Sequence, residues 1–164
     1  MAADERLFPF GGEPHRVTVT TAARPHTKTV GDQTEAMVMA RLLQVYPAVL
    51  LPFGENQRYD LVVDDGEKFL KIQCKTGRLQ AGAISFPVCS TSYLTRADGA
   101  RPRHVPYEDA VDAFGVYCPE TDSVYLVPVS EVGARACSLR VDPPRNNQSK
   151  KVRWASDFEV VPPG

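Results

Sequence analysis

The sequence predicts one α/β (α+β) domain, in which a helix is laid onto a sheet made largely of β-hairpins. Three observations support this fold class. Apolar residues recur with helical spacing after Gly31, segments that alternate with a period of two flank a turn within 58–77, and a second such pair spans 113–129. With 164 residues, 43% of them hydrophobic, the chain can bury a core of its own but is short for two domains.

Charge and cysteine content exclude several classes of protein. The formal net charge of −1 gives no global attraction for nucleic acid, so any such role must depend on local basic clusters. The four cysteines form no CxxC pair and have no histidine at ligand spacing, which argues against a zinc site and a disulfide framework. We therefore expect a protein of the reducing cytoplasm.

The N-terminal residues show neither a secretory signal nor a membrane segment. No basic start is followed by an apolar run, and no window approaches 18 consecutive apolar residues. Residues 1–29 are rich in Gly and Pro, and we predict an extended arm with one short strand at 16–21, or alternatively a disordered tail. The folded domain is then expected over residues 30–164.

A helix is predicted from Gly31 to about Tyr46. Asp32 is a good N-cap, and Glu35 lies three residues later, as in a capping box. The apolar positions that follow cover a broad arc, which suits a helix packed on a sheet. A short apolar strand is predicted at 48–52.

The hairpin at 58–77 is the most informative stretch of the chain. Strands at 59–63 and 68–75 are joined by a turn in which Gly66 can adopt a positive φ. The period of two places Gln73 and Lys75 on one face of the second strand. Asp60, on the first strand, faces the same side if the register permits, so this face is a candidate site.

The remaining elements are mostly strands. Residues 89–108 are basic and rich in turn residues, and we predict a long loop, in which Tyr93 and Tyr107 either stack on a ligand or belong to the core. The other predicted elements are strands at 82–88, 113–118, 123–129 and 137–141 and a helical turn followed by a strand at 155–161.

The polar face of the first hairpin has the groups needed for phosphodiester hydrolysis. A metal ion assists this reaction by binding the phosphate and activating water. Magnesium prefers hard oxygen ligands and needs only one or two carboxylates. Asp60 can supply a carboxylate, Gln73 a side-chain oxygen and Cys74 its backbone carbonyl. Alternatively, Gln73 is only a solvated strand residue.

Lys75 would lie beside the attacking water. A lysine is normally protonated, and nearby carboxylates favour the charged form, so we expect it to orient the water and stabilise charge instead of acting as the base. Glu35 is the fourth candidate, because the helix could present it to the same metal directly or through water. Its alternative role is the capping box alone.

The motifs GDQTEA (31–36), RYDLVV (58–63) and IQCKTG (72–77) together resemble the PD-(D/E)XK nuclease superfamily. The resemblance is strongest to the small branch related to group I intron-associated homing endonucleases, in which glutamine replaces the usual second acid. It extends over about residues 26–87, and residues 116–132 are also similar to that branch. Tyr59 replaces the proline of the name motif, a position that carries no ligand, and the N-terminal arm is longer than a minimal member needs.

The resemblance implies a restriction-endonuclease-like fold, with a mixed four-stranded core sheet flanked by helices, and a DNA substrate. It implies that Glu35, Asp60, Gln73 and Lys75 are the catalytic residues and that the metal is Mg²⁺, with Mn²⁺ as an alternative. Replacing an acid with Gln73 removes one negative charge, so we expect weak metal binding until the scissile phosphate helps to complete the site.

Basic residues are expected to contact DNA phosphates, which dominate affinity in such complexes. Alternatively, these residues are only solvated surface. The candidates are Arg78, Arg96, Arg101, Arg103, Lys150, Lys151 and Arg153.

The function predicted is therefore a metal-dependent DNA endonuclease, either homing-like or directed at branched structures. The alternatives are a non-catalytic nucleic-acid-binding or assembly subunit with the same fold, and a structural domain with an accidental motif. A homodimer or homotetramer is expected for double-strand cleavage, since one site cuts one strand. The apolar surfaces of the hairpin at 113–129 are the predicted contact.

Overall fold

A computed structural model of the chain describes residues 26–54, 57–94, 101–143 and 152–164. These residues contain one α-helix, α1 (Thr27–Leu42), two short 3₁₀ helices (Val129–Glu131 and Ala155–Asp157) and ten strands. The strands are β1 (Ala48–Leu50), β2 (Leu61–Asp64), β3 (Phe69–Thr76), β4 (Arg78–Gln80), β5 (Ala83–Pro87), β6 (Cys89–Leu94), β7 (Arg101–Pro106), β8 (Ala113–Cys118), β9 (Ser123–Pro128) and β10 (Ala136–Arg140).

The central sheet is mixed and has five strands in the order β1-β2-β3-β8-β9. Only β3 and β8 run parallel, and the other three pairs are antiparallel. Both predicted hairpins are present as β2–β3 and β8–β9, and Gly66 in the first turn has a φ of +92°. The expected α/β mixed sheet is confirmed, with β1 extending it beyond four strands.

Helix α1 begins five residues before the predicted N-cap at Asp32, so that prediction is wrong. The ring nitrogen Nδ1 of His26 accepts a hydrogen bond from the Lys28 N–H (3.3 Å), and the His26 carbonyl accepts one from Val30 N–H (3.2 Å). Histidine therefore caps the helix where Asp was expected. Residues 27–29, predicted to end the arm, lie in α1, whereas residues 1–25 lie outside the described part of the chain.

Helix α1 packs on one face of the sheet through Val38 and Leu42, both fully buried. Gly115 on β8 makes this close approach feasible. A Cβ at this position would lie 2.6 Å from Val38 Cγ1 and 3.1 Å from Ile72 Cγ2. Since real Cβ contacts are longer than this, a side chain here would push the helix away from the sheet.

The opposite face of the sheet is covered by a second, three-stranded sheet, β10-β5-β4. Ile84, Phe86 and Leu139 from this small sheet pack with Phe114 and Val116 from β8. Within the described residues, a sheet therefore lies where the resemblance implied flanking helices.

The predicted long loop at 89–108 is largely a hairpin instead, formed by β6 and β7. Prolines at positions 102 and 106 argued against a strand, because proline cannot donate a ladder hydrogen bond. Here β6 and β7 form a separate two-stranded sheet, in which each strand has only one neighbour and proline is tolerated. Strand β4 was also missed.

The hairpin at 113–129, predicted to form the contact for self-association, is mostly buried within the domain. Eight of the twelve residues of β8 and β9 are buried, among them Phe114, Val116 and Val127. Leu126 and Tyr117 remain half-buried. The apolar side chains of this hairpin form the core, and only a minor apolar surface is left for a partner. No helix in the described part of the chain is long and apolar enough to span a membrane.

Candidate active site

The four predicted catalytic residues line one open cavity of about 350 Å³. The cavity lies at the C-terminal part of β3, next to the start of β2 and beside the first three turns of α1. Glu35 comes from the helix, Asp60 from the residue just before β2, and Gln73 and Lys75 from β3. The fold thus brings together all four side chains from three separate segments.

Asp60 is placed by the register of the first hairpin. Leu61 is paired with Ile72, which puts Asp60 opposite Gln73, and the Asp60 N–H donates to the Ile72 carbonyl at 2.9 Å. The carboxylate oxygen Oδ2 accepts hydrogen bonds from Gln73 Nε2 and from the Cys74 N–H, the latter at 2.7 Å. The orientation expected from the strand period is therefore the one observed.

The environment of Asp60 disfavours its charged form. Burial raises the pKa of the Asp60 carboxyl above its ordinary value, although the Cys74 N–H, the Lys75 ammonium and the Gln73 amide each act in the opposite direction. Loss of hydration therefore outweighs three favourable contacts. A bound cation would supply the missing stabilisation.

Glu35 lies in the third turn of α1 and is exposed at the rim of the cavity. Partial burial raises the pKa of its carboxyl, and the negative charges of Asp60 and Asp32 raise it further. Because the helix begins at Thr27, Glu35 is not the third residue of a capping box, and the capping explanation for it is wrong. The neighbouring Thr34 is buried, and its Oγ1 lies 2.7 Å from Thr76 Oγ1, which joins this turn to the end of β3.

Lys75 contacts a residue whose role the sequence left open. Its ammonium donates to the hydroxyl of Tyr107 at 3.4 Å and lies 4.8 Å from the centre of the Tyr107 ring. Tyr107 follows β7, is only 7% exposed, and packs edge-on against Phe114. Nothing in the local sequence indicates this contact, because Tyr107 is 32 residues away from Lys75.

The donor atoms around the cavity fit a hard divalent cation. Glu35 and Asp60 provide carboxylates, and Gln73 keeps its amide oxygen available because it donates to Asp60 through nitrogen. The Cys74 N–H points to this edge of β3, and in a strand the carbonyl of the same residue points the same way. Burial raises the pKa of the Cys74 thiol, so the sulfur stays protonated and is unsuited to a metal.

The site has few acidic ligands. In residues 26–54, 57–94, 101–143 and 152–164, no three His, Cys, Asp or Glu side chains are grouped closely enough to hold a metal by themselves. Two carboxylates with neutral oxygen donors remain, a set suited to magnesium, which retains water and substrate oxygens.

The predicted DNA contacts are described only in part. Arg78 is exposed and lies 3.6 Å from Glu120, and Arg153 is exposed and lies 3.8 Å from Glu131. Both cations therefore have acidic partners in the free protein. The backbones of Arg101 and Arg103 belong to β7, but their side chains lie outside the described part of the chain. The other three predicted contacts lie wholly outside it: Arg96, Lys150 and Lys151.

The chain is similar to known proteins in its sequence pattern and in its fold. No curated protein matches the chain. Among solved structures, the bacterial homing endonuclease I-Ssp6803I is similar, with a TM-score of 0.65 and 23% identity over 82% of this chain and 89% of that protein. The family model described as PD-(D/E)XK endonuclease matches residues 25–161, which include α1, both hairpins and every residue of the cavity. The chain therefore belongs to the PD-(D/E)XK endonuclease family.

Proposed function

We propose that this protein is a divalent-metal-dependent deoxyribonuclease that hydrolyses phosphodiester bonds in DNA, with Mg²⁺ as its cofactor and Mn²⁺ as a substitute. The observation that carries the proposal is the pairing of Asp60 with Gln73 across the β2–β3 hairpin, in a cavity also lined by Glu35 and Lys75. Membership of an endonuclease family supports the same reaction.

Each residue is assigned a role from its chemistry. Asp60, Gln73 through its amide oxygen and the Cys74 carbonyl would hold the cation, with Glu35 binding directly or through water. When bound, the cation supplies charge stabilisation and an acidified water. Lys75 keeps its proton, donates a hydrogen bond that orients the attacking water, and stabilises the negative charge that develops on the phosphate.

The substrate is proposed to be double-stranded DNA. The DNA target is either a defined sequence, as for a homing endonuclease, or a branched structure. I-Ssp6803I is a homing endonuclease by its title, which supports the first. We further propose a homodimer or homotetramer, because two strands need two sites. The four cysteines are free and buried, which supports a reducing compartment such as the cytoplasm.

The test compares wild type, Asp60→Ala and Lys75→Ala on plasmid, branched and single-stranded DNA, with Mg²⁺ or with EDTA. Asp157→Ala and Lys68→Ala serve as matched controls, because both side chains are exposed and lie outside the cavity. We expect cleavage only with metal, and a loss of about 10²–10³-fold or more in each site variant. Cleavage that survives either site substitution would overturn the assignment.

A non-catalytic DNA-binding or assembly subunit is the second candidate. It would bind the same DNAs without cutting any of them, with or without metal. Such a subunit would also have no use for a cavity in which burial, and then the charge of Asp60, raise the pKa of Glu35. DNA binding by Asp60→Ala equal to that of wild type, with cleavage lost, would favour the enzyme over this candidate.

A further inference from the structure

Among the described side chains, Tyr107 is the aromatic residue that lies against Lys75. The hydroxyl oxygen of Tyr107 accepts a hydrogen bond from the Lys75 ammonium (3.4 Å), and the ammonium also lies over the ring, 4.8 Å from its centre. A lysine side chain is long and flexible, so a water-orienting role requires something that limits its rotamers. Tyr107 offers two contacts to the same nitrogen.

The tyrosine ring is itself fixed from two directions. It is buried and packs edge-on against Phe114, with 5.7 Å between ring centres and 89° between ring planes. The guanidinium of Arg58 lies over the same ring, with its Cζ 4.7 Å from the centre. Arg58 also donates to the carbonyl of Pro106 at 2.7 Å, and so joins the residues before Asp60 to the end of β7.

We propose that Tyr107 is a positioning residue, which holds the ammonium of Lys75 at the cavity through its hydroxyl and ring face while Arg58 holds the ring. This inference rests on the proposed function, in which Lys75 orients the attacking water. Tyr107 does not line that cavity and acts only through the lysine. Its loss should therefore affect the chemical step and leave DNA affinity intact.

Two substitutions separate the contacts. Tyr107→Phe keeps the ring face and removes the hydroxyl, whereas Tyr107→Leu removes both. Tyr125 provides matched controls, because it is also buried in the same core cluster and also makes one hydrogen bond through its hydroxyl, to Thr121 at 3.2 Å. Tyr125→Phe and Tyr125→Leu should cost stability in the same way without touching Lys75.

The first measurement is the single-turnover cleavage rate with saturating enzyme and Mg²⁺, scaled to the folded fraction from urea unfolding. We expect Tyr107→Leu to lower the rate by about 10²-fold, the effect of misplacing a catalytic group. Tyr107→Phe should lower it roughly tenfold, as for one lost hydrogen bond to a charged group. The Kd for DNA in EDTA should not change. Equal rates for the Tyr107 and Tyr125 variants would overturn the proposal.

The second measurement does not require cleavage. In a ¹H–¹³C NMR spectrum, the ε-methylene protons of Lys75 should be shifted upfield by the ring current of Tyr107, and the signal is assigned by its absence from Lys75→Ala. The shift should persist in Tyr107→Phe and vanish in Tyr107→Leu. If it persists in Tyr107→Leu, the proposal fails. If wild type cuts no DNA, the proposed function fails, while the shift still decides whether Tyr107 holds Lys75.

Discussion

At the scale of single residues, the acidic side chains of the site lower the stability of the metal-free protein. Asp60 is placed by hydrogen bonds from Gln73 and the Cys74 N–H, yet its pKa is raised because burial removes its hydration. Glu35 is in a similar position, since the Asp60 charge adds to its own partial burial. The metal-free protein therefore holds two carboxylates that a cation would stabilise. Keeping both in one cavity lowers the stability of the metal-free protein in favour of its function.

Asp60→Asn should make the metal-free protein more stable near neutral pH. The pKa of the Asp60 carboxyl is raised in the folded protein, so at a pH between its ordinary and raised values the folded protein binds a proton that the unfolded chain has lost. The free energy of unfolding therefore falls as the pH rises through this range. An amide has no such dependence. In urea unfolding with EDTA, the variant should have a higher free energy of unfolding, and this free energy should change less with pH than that of wild type. The variant should not cleave DNA. Asp157→Asn, at an exposed site, is the control, and an Asp60→Asn protein less stable than wild type would contradict the prediction.

Gln73→Glu should increase metal affinity and lower stability without metal. The substitution removes the hydrogen bond to Asp60 and places a second carboxylate against it, at an expected cost of about 2 kcal/mol in EDTA. Mg²⁺ should reverse this loss, because the added charge binds the cation. Calorimetric titration with Mg²⁺, with and without DNA, measures the metal affinity, and urea unfolding with Mg²⁺ or EDTA measures the stability. Gln80→Glu on β4, where the side chain is exposed, is the matched control. Tight Mg²⁺ binding by wild type without DNA would contradict the role given to Gln73.

At the scale of elements, the position of Glu35 depends on how closely α1 lies on the sheet. Two contacts set this distance: Val38 against the bare backbone of Gly115, and the hydroxyl pair of Thr34 and Thr76. The first contact lies one turn beyond Glu35, and the second lies one residue before it. A shift of the helix would therefore move Glu35 relative to Asp60.

Gly115→Ala should destabilise the protein and slow cleavage. The new methyl group would lie 2.6 Å from Val38 Cγ1, and overpacking of this kind costs about 1–3 kcal/mol. Adding Val38→Ala should recover part of both losses, because it removes the clashing atom. Gly133→Ala, whose Cβ would meet only the Ala136 carbonyl at 3.6 Å, should be neutral. Chemical unfolding and cleavage rates of wild type, Gly115→Ala, Val38→Ala and the double variant form a double-mutant cycle. Additive effects would show that Gly115 and Val38 are not coupled.

Some of these elements could be predicted from the sequence and others could not. The β2–β3 and β8–β9 hairpins have strong alternation and clear turn residues, and both were predicted. The start of α1 was not, because the residue that caps it is His26, a weaker capping signal than Asp32. The β6–β7 hairpin was missed because its prolines argue against a strand, and only the separation of this pair from the larger sheets makes them acceptable.

At the scale of the whole molecule, the candidate site was predictable where it is local and, for Glu35, where a motif resembles a known family. Asp60, Gln73 and Lys75 belong to one hairpin, so the strand period and register bring them together. The contact between Lys75 and Tyr107 spans 32 residues and depends on the pairing of β8 with β3, since Tyr107 lies between β7 and β8. Neither hydrophobic periodicity nor a motif predicts such a contact. The sequence alone therefore left open whether Tyr107 stacks on a ligand or belongs to the core.

The charge of the whole molecule leads to a last prediction, about salt. With a net charge of −1, DNA affinity must come from a few local cations, and the log of the association constant should fall with log salt by about 0.9 for each phosphate contact. Arg78→Gln should lower that slope by about one contact. Glu120→Gln should raise affinity at low salt, because it frees Arg78 from its partner at 3.6 Å. Lys68→Gln, at the turn end of the β2–β3 hairpin away from the cavity, is the control. Fluorescence anisotropy with labelled duplex DNA measures all three, and an unchanged slope in Arg78→Gln would remove Arg78 from the DNA interface.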